Sequence, residues 1–286
     1  MNLLIWLDGK LVNKADATVS VYDKGVLYGD GVFEGIRLYH GVIFREKEHL
    51  SRLYDSARAI RLTIPYSPAE LSAAMAETVK ANNFKDCYLR LVVTRGVADL
   101  GLSPVPVKRP CTFIIADQIR LYPKEMYENG MSIIVASTVR NHPNALSPKI
   151  KSLNYLNNIM AKWECIDAGV PEAVMLNHLG YVCECTGDNI FLVKNGKILT
   201  PPEESGILVG ITRGAVIELA KQLGMTVDQN NLTRYDLYTA DECFLTGTGA
   251  EIVPVTKIDQ RAIGSGQVGP ITRQLTDAFH RLVRDH

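Results

Sequence analysis

Apolar positions change period several times along the chain. Over residues 1–45, short apolar runs alternate with turn signals at Asp8-Gly9, Asp23-Lys24-Gly25 and His40-Gly41, the pattern of short strands. Residues 46–60 take a helical period, with Leu50, Leu53, Tyr54, Ala57 and Ile60 on one face. Ser67-Pro68-Ala69-Glu70 combines a serine cap, a proline at the first helical position and a glutamate at the third. It opens a helix that runs to about Asn82 with Leu71, Met75 and Val79 inward. Strands are expected at 87–95 and 112–116.

A polar stretch with Pro123 and Gly130 then interrupts the pattern and reads as a linker over 118–130, between domains at 1–117 and 131–286. Beyond it a strand is expected at 132–136, then a helix at about 153–168 with Leu153, Leu156, Met160 and Trp163 inward. Strands follow at 172–176, 181–185, 189–194 and 197–200, the last two joined by the hairpin signal Asn195-Gly196. A helix at 211–223, a capping box at Thr233-Arg234-Tyr235-Asp236, strands at 241–246 and 250–255, and a helix at 270–284 complete the chain. Strands and helices mix in both halves, so the fold class is α/β or α+β.

Composition narrows this little. The chain has 286 residues, and 31 Lys+Arg balance 31 Asp+Glu. That length suits about two domains with full cores. Zero net charge without charged blocks argues against nucleic acid or an anionic membrane as partner, but leaves room for a local basic pocket. The six cysteines lack CxxC spacing and the six histidines lack metal spacing, so no metal is expected. The apolar run at the N-terminus is too short for a signal peptide or a membrane span, which predicts a cytoplasmic chain with reduced thiols.

Gly264-Ser265-Gly266-Gln267-Val268-Gly269 matches GxGxxG, but one helix later the sequence ends, without the βαβ unit a dinucleotide site needs. Three other features carry more chemistry. Lys151 stands at a loop-to-helix junction. It is either a solvated charge or, if partly buried, an amine able to attack a carbonyl. Glu184 alternates with Cys183 and Cys185, two small core residues, and so points to the opposite face. There it is either solvent-facing or buried with a cationic or hydrogen-bonding partner. Gly210-Ile211-Thr212-Arg213 opens a helix, either as a plain glycine turn or as an anion site of backbone N–H groups and a hydroxyl. Thr246-Gly247-Thr248-Gly249-Ala250 adds a second turn of small residues and hydroxyls. An amine, a carboxylate and two anion cradles form the set that pyridoxal 5'-phosphate (PLP) needs.

At these residues the chain resembles the fold-type IV PLP enzymes, the class IV aminotransferases, closest to the branched-chain amino-acid branch. The resemblance runs from Leu7-Asp8-Gly9 to Gly269-Pro270-Ile271-Thr272. It includes Tyr28 to Arg37, Glu48 to Leu53, the Lys151 segment, Glu184 to Asn189, Gly210 to Arg213 and Gly247 to Pro254, in the family's order. It implies a two-domain fold, with a smaller N-terminal α/β domain, a larger C-terminal PLP-binding domain with a barrel-like sheet, and PLP in the cleft between. Lys151 resembles the Schiff-base lysine and proton carrier, with Lys149 as the competing lysine. Glu184 resembles the carboxylate at the pyridine nitrogen. Arg52, Ile211, Thr212 and Thr248 resemble the phosphate binders, Leu208 the residue against the ring, and Tyr155 the tyrosine at the phenolic oxygen.

For substrate, the resemblance implies a pocket of Tyr28, Phe33 and Gly35 for an aliphatic side chain, with Tyr88 beside it. Arg90 would receive the distal carboxylate of 2-oxoglutarate, and Thr248 and Gly249 the α-carboxylate. The reaction implied is transfer of the amino group of leucine, isoleucine or valine to 2-oxoglutarate in a ping-pong cycle. Val97 to Leu102 lacks the Arg-x-His trap of the D-amino-acid branch. D-amino-acid transamination, aminodeoxychorismate lysis and a catalytically silent PLP- or phosphate-binding protein remain the alternatives. The resemblance also implies a homodimer or higher homo-oligomer, with the loop near Leu100 to Leu102 reaching a partner's site and Tyr28 crossing the interface. Tyr122 is the candidate to close the pocket.

Overall fold

The structure, a computed structural model, describes residues 3–107, 109–119 and 121–285. Met1 and Asn2 of the N-terminal segment, Arg120 of the expected linker and His286 lie outside the described residues. The chain divides into two compact units, Met1–Ile119 with Ile150–Asn154, and Arg120–Lys149 with Tyr155–His286.

In the first unit the elements are β1 (Leu4–Leu7), β2 (Lys10–Asn13), α1 (Lys24–Tyr28), β3 (Gly31–Tyr39), β4 (Val42–Ile43), α2 (Glu46–Ala59), α3 (Pro68–Ala81), β5 (Cys87–Thr94) and β6 (Cys111–Asp117). The six strands form one antiparallel sheet in the order β2-β1-β6-β5-β3-β4. Its core joins Val32, Ile36 and Leu38 of β3 to Leu50 and Leu53 of α2, Leu71 and Met75 of α3, and Leu89 and Leu91 of β5. The capping box at Ser67 is present: Ser67 Oγ accepts the Glu70 N–H at 3.3 Å, and Glu70 Oε2 accepts the Ser67 N–H at 2.7 Å. Asp23-Lys24-Gly25, expected as a turn, instead starts α1, because Asp23 Oδ1 accepts the Gly25 N–H at 2.7 Å as a helix cap.

The segment Ile150–Asn154 is laid against β3. Phe33 N donates to Lys151 O at 3.0 Å, and Leu153 N donates to Gly31 O at 2.9 Å. These bonds hold Leu153 out of helical geometry, so the helix expected from about 153 starts only at Leu156.

The second unit runs α4 (Lys124–Asn129), β7 (Met131–Val135), α5 (Leu156–Asp167), β8 (Ala173–Leu176), β9 (Val182–Cys185), β10 (Asn189–Lys194), β11 (Lys197–Thr200), α6 (Ile211–Gln222), β12 (Val227–Gln229), α7 (Arg234–Thr239), β13 (Glu242–Gly247), β14 (Glu251–Ile258), β15 (Arg261–Ala262) and α8 (Pro270–Arg284). Its nine strands form a curled, half-barrel sheet in the order β12-β11-β10-β13-β14-β7-β8-β9, with β15 paired to β14. Ile133, Val174, Val182, Ile190, Leu192, Leu245 and Val253 fill the core. Asn195 and Gly196 both have positive φ, 50° and 74°, as the tight β10–β11 turn requires.

The expected inward face of α5 is not the buried one. Leu156, Met160 and Trp163 are exposed, and the helix buries Asn158, Ala161 and Cys165 instead. Small residues let α5 lie close to β8, and Asn158 is drawn in by bonds to Arg140 and to Thr186 O. The GxGxxG match is a plain turn. Glu242 accepts the N–H groups of Ile271 and Thr272 at 3.1 and 2.8 Å, so a carboxylate already occupies the start of α8 where a phosphate would bind. Among the described residues no helix is long and apolar enough to cross a membrane.

Candidate active site

Pairing of β3 with β5 places Gly35 opposite Arg90, Phe33 opposite Val92 and Arg37 opposite Tyr88, all on one face of the sheet. There the Arg90 guanidinium stands 3.6 Å from the centroid of the Phe33 ring, and Lys151 Nζ stands 4.6 Å from it. One aromatic ring thus gathers two cations. A Cβ on Gly35 would lie 1.8 Å from the Tyr88 hydroxyl, so only glycine lets that hydroxyl approach. Lys151, Phe33, Gly35, Tyr88 and Arg90 are therefore brought together. Tyr28, at the end of α1, is exposed, and its hydroxyl accepts the Gly101 N–H at 3.2 Å.

The other face of β3 carries Glu34, wholly buried in line with Val32, Ile36 and Leu38. Arg52 grips it through Nε and Nη2, both at 2.8 Å, and His49 Nδ1 lies 2.7 Å from Oε2. Burial alone would raise the Glu34 pKa, but the charge and hydrogen bonds of Arg52, with help from His49, bring it from 4.5 to about 2. Burial lowers the His49 pKa, with Glu34 opposing. His49 and Arg52 share one flank of α2, and one turn further on Ser56 Oγ accepts the Lys151 N–H at 3.1 Å. The helix that orients Arg52 also fixes the backbone of Lys151. Sequence reasoning named Arg52 but missed Glu34 and His49. The available signal was a glutamate interrupting an apolar alternation, opposite a helix with polar residues on its inner face.

In the second unit Glu184 is buried along with Cys183 and Cys185, which overturns the solvent-facing alternative. It has the partners that burial demands. Arg140 Nε donates to Oε1 at 3.0 Å, while Asn189 Nδ2 and the Leu208 N–H donate to Oε2 at 3.2 and 2.9 Å. The sequence alone points to neither Arg140 nor Asn189 as a partner. Arg140 is remote in sequence, and Asn189 reaches Glu184 only because the chain turns back between β9 and β10. Gly210 caps α6, whose first internal bond runs from Gly214 N to Gly210 O. The N–H groups of Ile211, Thr212 and Arg213 thus precede the helical ladder, beside the Thr212 hydroxyl. Thr248 and Gly249 lie half-buried in the turn between β13 and β14. Tyr155, half-buried, forms the N-terminal boundary of α5. Lys149 pairs with Glu203 at 2.7 Å, both half-exposed, which leaves Lys151 as the lysine stacked at Phe33.

Beneath the second turn lies a carboxylate pair that sequence reasoning also missed. Asp188 is buried near Glu172, and the Tyr122 hydroxyl donates to Asp188 Oδ2 at 3.0 Å. Burial first, then the Glu172 charge, raises the Asp188 pKa from 3.8 to about 7. Burial and both carboxylates push the Tyr122 phenol up as well. Tyr122, the candidate for closing the pocket, thus commits its hydroxyl to this pair.

Residues 31–258 match the family model of amino-transferase class IV. The chain belongs to the class IV aminotransferase family. A putative branched-chain-amino-acid aminotransferase of Methanocaldococcus jannaschii is 52% identical over 275 residues, 96% of this chain and 94% of that one. The crystal structure of the Escherichia coli branched-chain amino acid aminotransferase superposes with a TM-score of 0.94 at 37% identity, covering 99% of this chain and 95% of that one. The T.th. branched-chain amino acid aminotransferase complexed with N-(5'-phosphopyridoxyl)-L-glutamate gives 0.93 at 38% identity, covering 100% of this chain and 95% of that one. The donor set of this class IV chain fits a phosphopyridoxyl group. By chemistry, the second unit offers a buried carboxylate held by arginine at Glu184 and helix-start amides with a hydroxyl at Ile211 and Thr212, and the first unit, taken by itself, offers the amine of Lys151.

Proposed function

We propose that the protein is a PLP-dependent branched-chain amino-acid aminotransferase, which moves the amino group of L-leucine, L-isoleucine or L-valine to 2-oxoglutarate. One observation carries the substrate reading: the Phe33 ring is stacked with Arg90 and stands beside Lys151. An apolar surface and a guanidinium in one place suit both an aliphatic side chain and the distal carboxylate of 2-oxoglutarate.

When bound, the cofactor supplies an electron sink for charge developing at the substrate's α-carbon. Lys151 Nζ would carry it covalently and move the proton at that carbon. Glu184 would hold the proton on the pyridine nitrogen, with Arg140 as its cationic partner at 3.0 Å. Arg52, the Ile211 N–H, Thr212 and Thr248 would hold the phosphate, Leu208 would pack on the ring and Tyr155 would bond its phenolic oxygen. Tyr28, Phe33, Gly35 and Tyr88 would line the side-chain pocket, Arg90 would take the distal carboxylate, and Thr248 and Gly249 the α-carboxylate. We assign 131–286 as the PLP-binding domain, 1–117 as the N-terminal α/β domain and 118–130 as the linker, although this stretch carries α4.

We also assign a homodimer or higher homo-oligomer. The apolar face of α5 supports this reading, since Leu156, Ile159, Met160 and Trp163 are all exposed, as are Leu100 and Leu102. All six cysteines are free, which suits the reducing cytoplasm.

The test is a panel of L- and D-amino donors with 2-oxoglutarate and pyruvate as acceptors. Branched L-donors with 2-oxoglutarate should lead, and Lys151→Ala should abolish turnover. Preference for D-donors, or pyruvate release from an aromatic precursor without any acceptor, would move the protein to another branch of the family.

A further inference from the structure

We propose that Asn189 is a positioning residue for the cofactor, its side-chain amide tying the Glu184 carboxylate to the turn that opens α6. This role rests on the function proposed above. Asn189 Nδ2 donates both to Glu184 Oε2 at 3.2 Å and to Leu208 O at 2.9 Å. The Leu208 N–H returns a bond to the same Oε2 at 2.9 Å. One side-chain amide and the N–H and carbonyl of one residue, Leu208, thus close a small ring of bonds around a single carboxylate oxygen.

The other end of the same side chain sets the helix start. A Cβ on Gly210 would lie 2.0 Å from Asn189 Oδ1, so the capping residue of α6 rests directly on this oxygen. Asn189 is itself fixed by register, as it opens β10 and pairs with Thr246 of β13, at the mouth of the second small-residue turn. Its predecessor Asp188 packs in the same way beneath Gly247, where a Cβ would lie 2.0 Å from Asp188 Oδ1. Two consecutive side chains therefore each seat one glycine of one anion cradle. Only Asn189 also touches the carboxylate assigned to the pyridine nitrogen. A side chain that bonds Glu184 and seats Gly210 fixes the spacing between the groups meant for the ring and those meant for the phosphate. A rigid cofactor requires that spacing to be set before it binds.

Asn189→Asp keeps the oxygen beneath Gly210, removes the donor and sets a second carboxylate against Glu184. Asn189→Ser is shorter and uncharged, and serves if the aspartate variant does not fold. Both are compared with the unmodified full-length holoprotein by cofactor dissociation constant, by the pH midpoint of the cofactor's visible absorbance, and by thermal midpoint without cofactor. We expect affinity for PLP to fall about tenfold or more, the size of effect common when a residue orienting a ligand group is removed. We expect Asn189→Asp to raise the pH midpoint by about one unit, since a nearby negative charge favours the protonated form. A folded variant with unchanged affinity and unchanged midpoint overturns the role, even if its cofactor-free thermal midpoint falls. Unmodified protein that takes up no PLP overturns the proposed function and this role together, whereas normal uptake by unmodified protein and variants alike overturns the role alone.

Discussion

Glu34 and Asp188 are both buried carboxylates, one in each compact unit, and they are driven in opposite directions. Burial raises the pKa of each. Around Glu34 a bidentate arginine and a histidine reverse that effect and hold the group near 2. Around Asp188 stand the Glu172 carboxylate and a phenol, and the group rises to about 7. Burial alone therefore does not decide the ionisation of a carboxylate; neighbouring charge reinforces it at Asp188, through Glu172, and reverses it at Glu34, through Arg52. Glu184, with Arg140 at 3.0 Å, is built like Glu34 rather than like Asp188. In both places a guanidinium meets the buried carboxylate at hydrogen-bond distance.

The largest way to strain this comparison is Glu184→Gln. It should lower kcat about 10²–10³-fold, the usual cost of removing a group that stabilises developing charge. The holoprotein should remain folded, as circular dichroism would report. A loss below threefold would mean that the arginine-held carboxylate does not serve the ring. Next, Glu34→Gln leaves the Arg52 guanidinium beside a neutral amide and should cost about 3–5 kcal/mol of stability, as broken buried pairs do. Denaturant unfolding would measure it, and a cost below about 1 kcal/mol would remove Glu34 from the comparison.

The pH dependences should be opposite in sign. A carboxylate lowered from 4.5 to about 2 contributes stability above pH 4.5 and loses it as pH falls through 2, so Glu34 supports the fold across the neutral range. A carboxylate raised from 3.8 to about 7 holds its proton more tightly when folded, so its contribution declines as pH climbs from 3.8 to 7 and stays low above that. Asp188→Asn should therefore raise the thermal midpoint at pH 8 by about 2–4 °C and change it less at pH 5. Equal shifts at the two values would deny Asp188 its raised pKa. The smallest effect is Tyr122→Phe, which removes one hydrogen bond worth about 1 kcal/mol and should show as a modest drop in the same melting curves.

The strand and helix periods marked nearly all the larger elements because each buries one regular apolar face, as α3 does with Leu71, Met75 and Val79. The pattern misled at α5, where the apolar stripe faces outward and a small, polar flank packs inward. Apolar periodicity reveals that a face is to be covered, not what covers it. At the site, Lys151, Glu184 and the start of α6 were visible because their chemistry is unusual for their local position. Glu34, His49, Arg140 and Asn189 were not, because each takes its meaning from a partner that only the fold brings near, such as Arg140 Nε on Glu184 Oε1. Asp188 hides for the same reason, since its neighbour Glu172 precedes β8 in the sequence and only the fold brings the two together.

The five residues Ile150–Asn154 complete the first unit although they follow β7 of the second. That detour fixes an order of events during synthesis. When Ile119 has left the ribosome, the N–H of Phe33 and the carbonyl of Gly31 still lack the strand that pairs them, as does the Ser56 hydroxyl that meets Lys151. The six strands and two main helices of the first unit must wait, partly open, for a segment still being translated, and such long-range pairing is slow to form and exposed to aggregation. A nascent chain stalled before Lys151 would carry an unfinished sheet edge, so the edge closes with the same few residues that deliver this lysine.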